Sequence, residues 1–285
     1  MTPQRIGILH PGEMGISVAA AAQNGGHTVC WASRGRSADT KERAKKFGLR
    51  DLETIDELCK ECSVVISVCP PHAAESVAGV VVASSYKGLF VDANAIAPQR
   101  LIRIGESMTR AGIRFVDGGI IGLPAWKPGS TWLYLSGPDA AEVAACFSAG
   151  PLETQVLGPA IGKASALKMC YAAYTKGTAA LLCGILGTAE SLGVREDLFN
   201  QWKREDAKFL DESISRVRFV TSKAWRWSAE MDEISRTFSD AGMPGEFHAA
   251  AAEIYRRLAR FKGSPATPPL EDVLAALLEG APENV

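Results

Sequence analysis

Through its first half the chain alternates short apolar runs with amphipathic or charged stretches. Residues 6–9, 28–32, 64–68, 89–92 and 114–117 are apolar, β-rich runs. Residues 13–24 read as a helix that stops at Gly25-Gly26, because glycine accepts the left-handed backbone found at helix ends. Residues 39–47 read as a charged helix. The run 64–68 is continuous rather than alternating, as expected of a strand covered on both faces. Such βα alternation implies a parallel sheet flanked by helices. Residues 131–136 add a strand, and Gly158-Pro159 marks a break. Beyond it the pattern is helical, from 160–193 to a last helix at 270–278 that follows the proline-rich stretch 265–269.

Composition narrows the class. With 285 residues, 47% apolar and 22% charged, the chain is long enough for two folded domains. A net charge of −1 gives no electrostatic reason to expect nucleic acid or an acidic membrane as partner. Residues 169–189 are apolar, but Lys176 and three glycines (Gly177, Gly184, Gly187) argue for a buried packing helix rather than a membrane span. The opening residues show no signal-peptide pattern, and seven scattered cysteines suit a reduced compartment. A cytoplasmic protein is therefore expected. Cys59 and Cys62 form a lone CxxC read as structural thiols, and the four histidines show no metal-ligand spacing, so no metal is expected.

The strand 6–9 runs into His10-Pro11-Gly12-Glu13-Met14-Gly15 and then a helix. A strand–turn–helix with glycines here is the dinucleotide-binding βα turn. Gly12 lets the backbone approach a diphosphate, Gly15 lets the helix pack closely, and the helix start offers amide donors. His10 stands where a first glycine is usual. The second strand ends in Ala32-Ser33-Arg34-Gly35-Arg36-Ser37, with no acid to bind ribose hydroxyls. Ser33, Arg34, Ser37 and Arg36 suit a 2′-phosphate instead, so NADP(H) is expected over NAD(H). The fold class is then α/β: a Rossmann-type parallel-sheet domain over 1–158, followed by an all-helical domain over 159–285.

Four ordered blocks resemble the 6-phosphogluconate dehydrogenase-like and β-hydroxyacid dehydrogenase superfamily. They are His10–Gly15, Val91–Pro98, Asp117–Gly122 and Gly158–Lys168, in the places of G-L-G-x-M-G, D-x-S-T-x-x-P, D-A-P-V-S-G and G-x-G-x-x-x-K. The second half is similar to the poorly characterised C-terminal domain of one branch of putative phosphogluconate dehydrogenase-like proteins, on Lys168–Ala172, Trp225-Arg226-Trp227, Glu230–Glu233 and Gly242–Gly245.

The resemblance implies a hydroxyacid-type oxidoreductase with Lys168 as general acid/base. The cofactor residues it implies include Cys69, Pro70 and Asn94, and Asn94 is also the expected substrate or nicotinamide contact. Where relatives place an asparagine one turn after the lysine, this chain has Ala172, and Tyr171 is the candidate replacement. Gly118, Gly119 and Gly122, with Ile120, read either as a loop offering amides to a substrate carboxylate or as a plain flexible loop. Trp126, Trp225, Trp227 and Met231 suggest apolar walls, and Glu230 is a further substrate-side candidate. A small-molecule substrate and a homodimer are implied. An imine reductase, or a regulatory NADP(H)-binding protein without catalysis, are the alternatives.

Overall fold

The computed structural model describes residues 2–280 and divides into two compact units, one ending at Met169 and one beginning at Cys170.

The first unit is built on one sheet with strands β1 (Arg5–Ile8), β2 (Thr28–Trp31), β3 (Arg50–Asp51), β4 (Val64–Ser67), β5 (Leu89–Asp92), β6 (Arg114–Gly122), β7 (Thr131–Ser136) and β8 (Glu153–Val156). Their order is β3-β2-β1-β4-β5-β6-β7-β8, parallel throughout except for the antiparallel β6–β7 pair. Helices α1 (Glu13–Asn24), α2 (Ala38–Lys46), α3 (Ile55–Glu61), α4 (Ala74–Ala83), α5 (Pro98–Arg110) and α6 (Ala140–Ala145) follow in βα alternation. One apolar core gathers Ile6, Ile8, Val29, Val64, Ile66 and Val91 beneath Ile16, Val18 and Ala22. The other gathers Leu9, Val65 and Phe90 beneath Leu58, Val77, Leu101 and Ile104. Both faces of the central strands are thus covered, which is why 64–68 shows no alternation.

Two features depart from the hydrophobic pattern. Residues 118–122, expected as a loop, continue β6 and pair with β7 from Gly118↔Leu135 to Gly122↔Thr131. The polar edge strand β8, largely exposed, carries no apolar signal.

The second unit contains most of α7 (Lys163–Ser191), then α8 (Arg195–Phe219), α9 (Ala224–Asp240), α10 (Glu246–Leu258) and α11 (Leu270–Glu279). The helix α8 is broken at Asp206, whose backbone is extended (φ −155, ψ 102) and whose carboxylate caps the following turn at Lys208 and Phe209. Among the described residues no helix is long and apolar enough to cross a membrane. The division between the two compact units falls inside α7, between Met169 and Cys170. The first turns of that helix belong to the sheet unit because they are tied to β6, as described below.

Candidate cofactor and catalytic site

The turn between β1 and α1 is shaped by two glycines with different duties. Gly12 caps α1 in an extended conformation with no side-chain cap. Its N–H donates to the His10 carbonyl at 2.8 Å, and its own carbonyl accepts from Ile16 at 2.9 Å. A Cβ on Gly12 would meet nothing within 4 Å, so the turn faces open space. A Cβ on Gly15 would lie 2.1 Å from the His10 carbonyl oxygen, so only glycine lets α1 cross the turn this closely. The strand order runs outward from the β1–β4 pair in both directions. The start of α1 therefore points its unpaired amides and dipole into the crevice where α/β sheets bind ligands. This bare, uncapped turn fits a dinucleotide diphosphate. Pro11 is buried, His10 and Met14 are half-buried, and Glu13 is exposed at the rim.

At the end of β2 the chain reverses. The Arg36 N–H donates to the Ser33 carbonyl at 3.1 Å, and Gly35 takes φ +75 at the bend. This leaves Arg34 exposed at the tip and Arg36 half-buried. Ser37 caps α2, its hydroxyl accepting from the Thr40 N–H at 3.4 Å. Ser33, Arg34 and Ser37 are thus adjacent around one turn and reachable from solvent. Arg43, in α2, donates to the Pro11 carbonyl at 3.4 Å. It brings a second cation over the glycine turn that the sequence did not single out, since every polar position of this charged helix looks alike.

The ends of β4 and β5 are locked together by Asn94. Its Oδ1 accepts from the Cys69 N–H at 2.5 Å, its Nδ2 donates to Ser67 Oγ at 3.2 Å, and its own N–H donates to Asp92 Oδ1 at 3.0 Å. Asn94 is 3% exposed, so it braces the crevice floor. Cys69 is buried, and burial pushes its thiol up to about 11, so it stays protonated. Pro70 is exposed beside it. Asp92 is fully buried, and its Oδ2 has no hydrogen-bond partner. Burial, with Asp117 across the strand pair, raises its carboxyl to about 7.

Asp117, at the point where β5 stops pairing with β6, holds the start of α7. Its carboxylate accepts from the N–H groups of Gly162 (3.0 Å), Ala164 (2.9 Å) and Ser165 (3.1 Å), and from the hydroxyls of Ser165 (2.7 Å) and Ser136 (2.9 Å). It is a helix cap delivered from a distant strand. Burial raises its pKa, and the Ser165, Ser136 and Ala164 donors oppose the rise. Two residues on, a Cβ at Gly119 would meet the Ala164 carbonyl oxygen at 2.6 Å and Lys168 Cβ at 3.2 Å. Lys168 is thereby set directly over the β6 backbone.

Because Gly118–Gly122 form a strand, part of their amides is spent on β7, which corrects the reading of a free loop. In an antiparallel ladder alternate N–H groups face the opposite edge. Beyond Asp117 that edge has no β5 partner, so the remaining amides of Gly118–Ile121 face the gap beside Asn94. Gly122 takes φ +125 and ends the strand against Ser130.

Tyr171 is one turn beyond Lys168 on α7 and 47% exposed, while Ala172 is buried. Within the helical unit, Glu230 is ion-paired with Lys176, and both are largely buried. The Lys176 ammonium lies 5.3 Å from the Trp227 ring, which meets Tyr255 edge-on at 5.6 Å. Met231 is fully buried as core. Trp126 stacks on Phe47, and Trp225 lies under the Lys262 ammonium.

Comparison with known proteins agrees with this geometry. Residues 5–144 match the NAD binding domain of 6-phosphogluconate dehydrogenase, and residues 189–258 match a domain of unknown function, DUF1932. An uncharacterized 28.5 kDa protein in the 7S RNA 5′ region of Methanothermus fervidus is 34% identical over 186 residues, 65% of this chain and 71% of that protein. The conserved protein MTH1747, of unknown function and structurally similar to 3-hydroxyacid dehydrogenases, is 28% identical with a TM-score of 0.66. That match covers 90% of this chain and 98% of the other. The Mycobacterium tuberculosis 3-hydroxyisobutyrate dehydrogenase, solved with L-serine, shares the fold at 17% identity and a TM-score of 0.70, over 97% and 99% of the chains. An imine reductase variant of Myxococcus stipitatus shares it at 15% identity and 0.55, over 97% and 100%. The chain belongs to the family that joins a 6-phosphogluconate dehydrogenase-type NAD-binding domain to a DUF1932 domain, on a hydroxyacid dehydrogenase-like fold.

Proposed function

We propose that the protein is an NADP(H)-dependent oxidoreductase acting on a hydroxyacid-like alcohol or its carbonyl counterpart, with Lys168 as general acid/base. The observation that carries this reading is the start of α7. Asp117 caps it and Gly119 admits it, so Lys168 stands over β6 beside the open edge of Gly118–Ile121. The turn His10–Gly15, with Cys69, Pro70 and Asn94, would hold the diphosphate and nicotinamide half. Ser33, Arg34 and Ser37 would hold a 2′-phosphate, since no carboxylate ends β2 to repel one. The bound dinucleotide supplies a hydride acceptor or donor. Lys168 in its neutral form takes the hydroxyl proton from the alcohol, and its ammonium returns a proton to the forming alkoxide in the reverse direction. The alternate open-edge amides within Gly118–Ile121 orient a substrate carboxylate, with Gly122 closing the strand end. Tyr171, Trp227, Glu230 and Met231 remain the substrate-side candidates of this reading, Met231 being fully buried within the helical unit.

We further propose a homodimer. Tyr171, Tyr174 and Leu181, exposed by 47%, 67% and 47%, line one face of α7 with Thr178 and Ile185 at heptad spacing. A long helix with such a stripe calls for a partner.

The test is a panel of short hydroxyacids, ketoacids and cyclic imines, followed by NADPH absorbance. Lys168→Ala should reduce turnover at least ~100-fold, the range of acid/base catalysis, with NADPH affinity nearly unchanged. Turnover that survives the substitution refutes the assignment of Lys168.

A further inference from the structure

The bend Ser33–Arg36 sends its two arginines to different places. Arg34 is exposed at the tip, and Arg36 is half-buried at the end of the bend. There Arg36 lies within electrostatic reach of both His10, which follows β1, and Cys69, which follows β4. It therefore reaches the crevice between β1 and β4, over the turn that precedes α1. Its Nε is buried with no hydrogen-bond partner, and no carboxylate lies within ion-pair distance of it among the described residues. His10 Nδ1 beside it is also buried without a partner. A half-buried guanidinium without acceptor or counter-ion is costly, and an anion placed there removes the cost.

We infer that Arg36 is a ligand of the dinucleotide's diphosphate, with His10 as its neighbour in the same anion site, and that of the two arginines only Arg34 answers to the 2′-phosphate, with Ser33 and Ser37. The position decides between the two anions. The diphosphate lies over the turn after β1, where His10 is, whereas the adenosine ribose is reached from the tip of β2, where Arg34 is. His10 is neutral at physiological pH, since burial and then Arg36 hold its pKa near 4. It therefore adds a polar ring to the site without a second charge of its own. The histidine and the half-buried arginine form one device. This inference rests on the proposal that the crevice binds a dinucleotide, and it adds which group grips which phosphate.

The test needs no substrate. Fluorescence and calorimetric titrations compare wild type, Arg34→Ala, Arg36→Ala and Arg36→Gln against NADPH, NADH, ADP-ribose and adenosine 2′-monophosphate. Both Arg36 variants should bind NADPH, NADH and ADP-ribose ~10- to 100-fold more weakly and by similar factors, as loss of a charged hydrogen bond predicts. Their affinity for adenosine 2′-monophosphate should be unchanged. Arg34→Ala should weaken NADPH and adenosine 2′-monophosphate only. The glutamine variant keeps the side chain's bulk, and matching melting curves separate lost binding from lost folding. Loss of NADPH binding with NADH intact in the Arg36 variants would assign Arg36 to the 2′-phosphate and overturn the inference. Unchanged affinity for all four probes overturns it as well while leaving the cofactor reading standing. A wild-type protein that binds neither dinucleotide overturns both.

Discussion

Asp92 makes the stability of the sheet unit depend on pH in a direction opposite to most carboxylates. Its side chain is fully buried at the end of β5, and burial raises its carboxyl to about 7, with the Asn94 N–H opposing and Asp117 adding to the rise. In the unfolded chain the same group loses its proton near 4. Between those values the folded protein binds more protons than the unfolded one, so stability falls as pH rises. The interval is about three pH units, and at ~1.4 kcal/mol per unit the group costs the fold up to about 4 kcal/mol by pH 8. Asp92→Asn removes the titration while its Oδ1 still accepts from Asn94. It exchanges an unpartnered oxygen for an unpartnered amide nitrogen, at a pH-independent cost of about 1–3 kcal/mol. Urea unfolding at pH 5, 6, 7 and 8, read by hydrogen exchange of the β5 amides, gives the difference between variant and wild type. That difference should move in the variant's favour by about 2–3 kcal/mol from pH 5 to pH 8, two of the three units of the interval. Parallel stability curves would show that Asp92 is ionised throughout, and the argument from burial would be wrong.

Other substitutions probe separate parts of the structure. Gly15→Ala places a methyl 2.1 Å from the His10 carbonyl, so α1 must shift. NADPH affinity should fall at least ~10-fold, because the helix-start amides no longer aim at the diphosphate; an unaltered titration would contradict the packing. Lys176→Met takes the ammonium from the largely buried Glu230 carboxylate and from the face of Trp227. The cost should be about 3 kcal/mol in chemical denaturation, and Lys176→Met with Glu230→Gln should recover part of it. If the double variant is the less stable of the two, the pair does not behave as a buried ion pair. Tyr174→Lys with Leu181→Lys charges the exposed stripe of α7 and should convert a dimer to monomer in sedimentation, without changing the circular dichroism spectrum. A wild-type monomer rules out the dimer outright.

Much of the sheet is legible in the chain because local signals and tertiary packing agree there. The limits of α1, β5 and β7 coincide with those the hydrophobic pattern predicts, since each is bounded by glycine, proline or aspartate where the pattern changes. The two-residue β3 and the polar β8 have no such pattern, because edge strands bury little and their pairing comes from the neighbour. The extension of β6 is hidden for a different reason. Gly118-Gly119 reads as a loop because glycine is the ordinary residue of loops, but here Ala93 presses on one glycine and α7 on the other. The cap on α7 is equally invisible locally, since it comes from Asp117 and not from a residue beside Lys163.

The two arginines after β2 show where local reading ends at the site itself. In the chain they are separated only by Gly35 and carry the same charge, so composition assigns both to one phosphate. On either side of the left-handed backbone at Gly35, Arg34 is exposed and Arg36 half-buried. On the inference above, the basic residues flanking Gly35 make two anion contacts, not one doubled contact. The same logic applies to His10. Read alone it is a missing glycine, a defect in a phosphate-binding turn. Beside a half-buried guanidinium it becomes the residue that occupies the space a first glycine would leave open, and the turn keeps its fit for an anion because Arg36 supplies the charge.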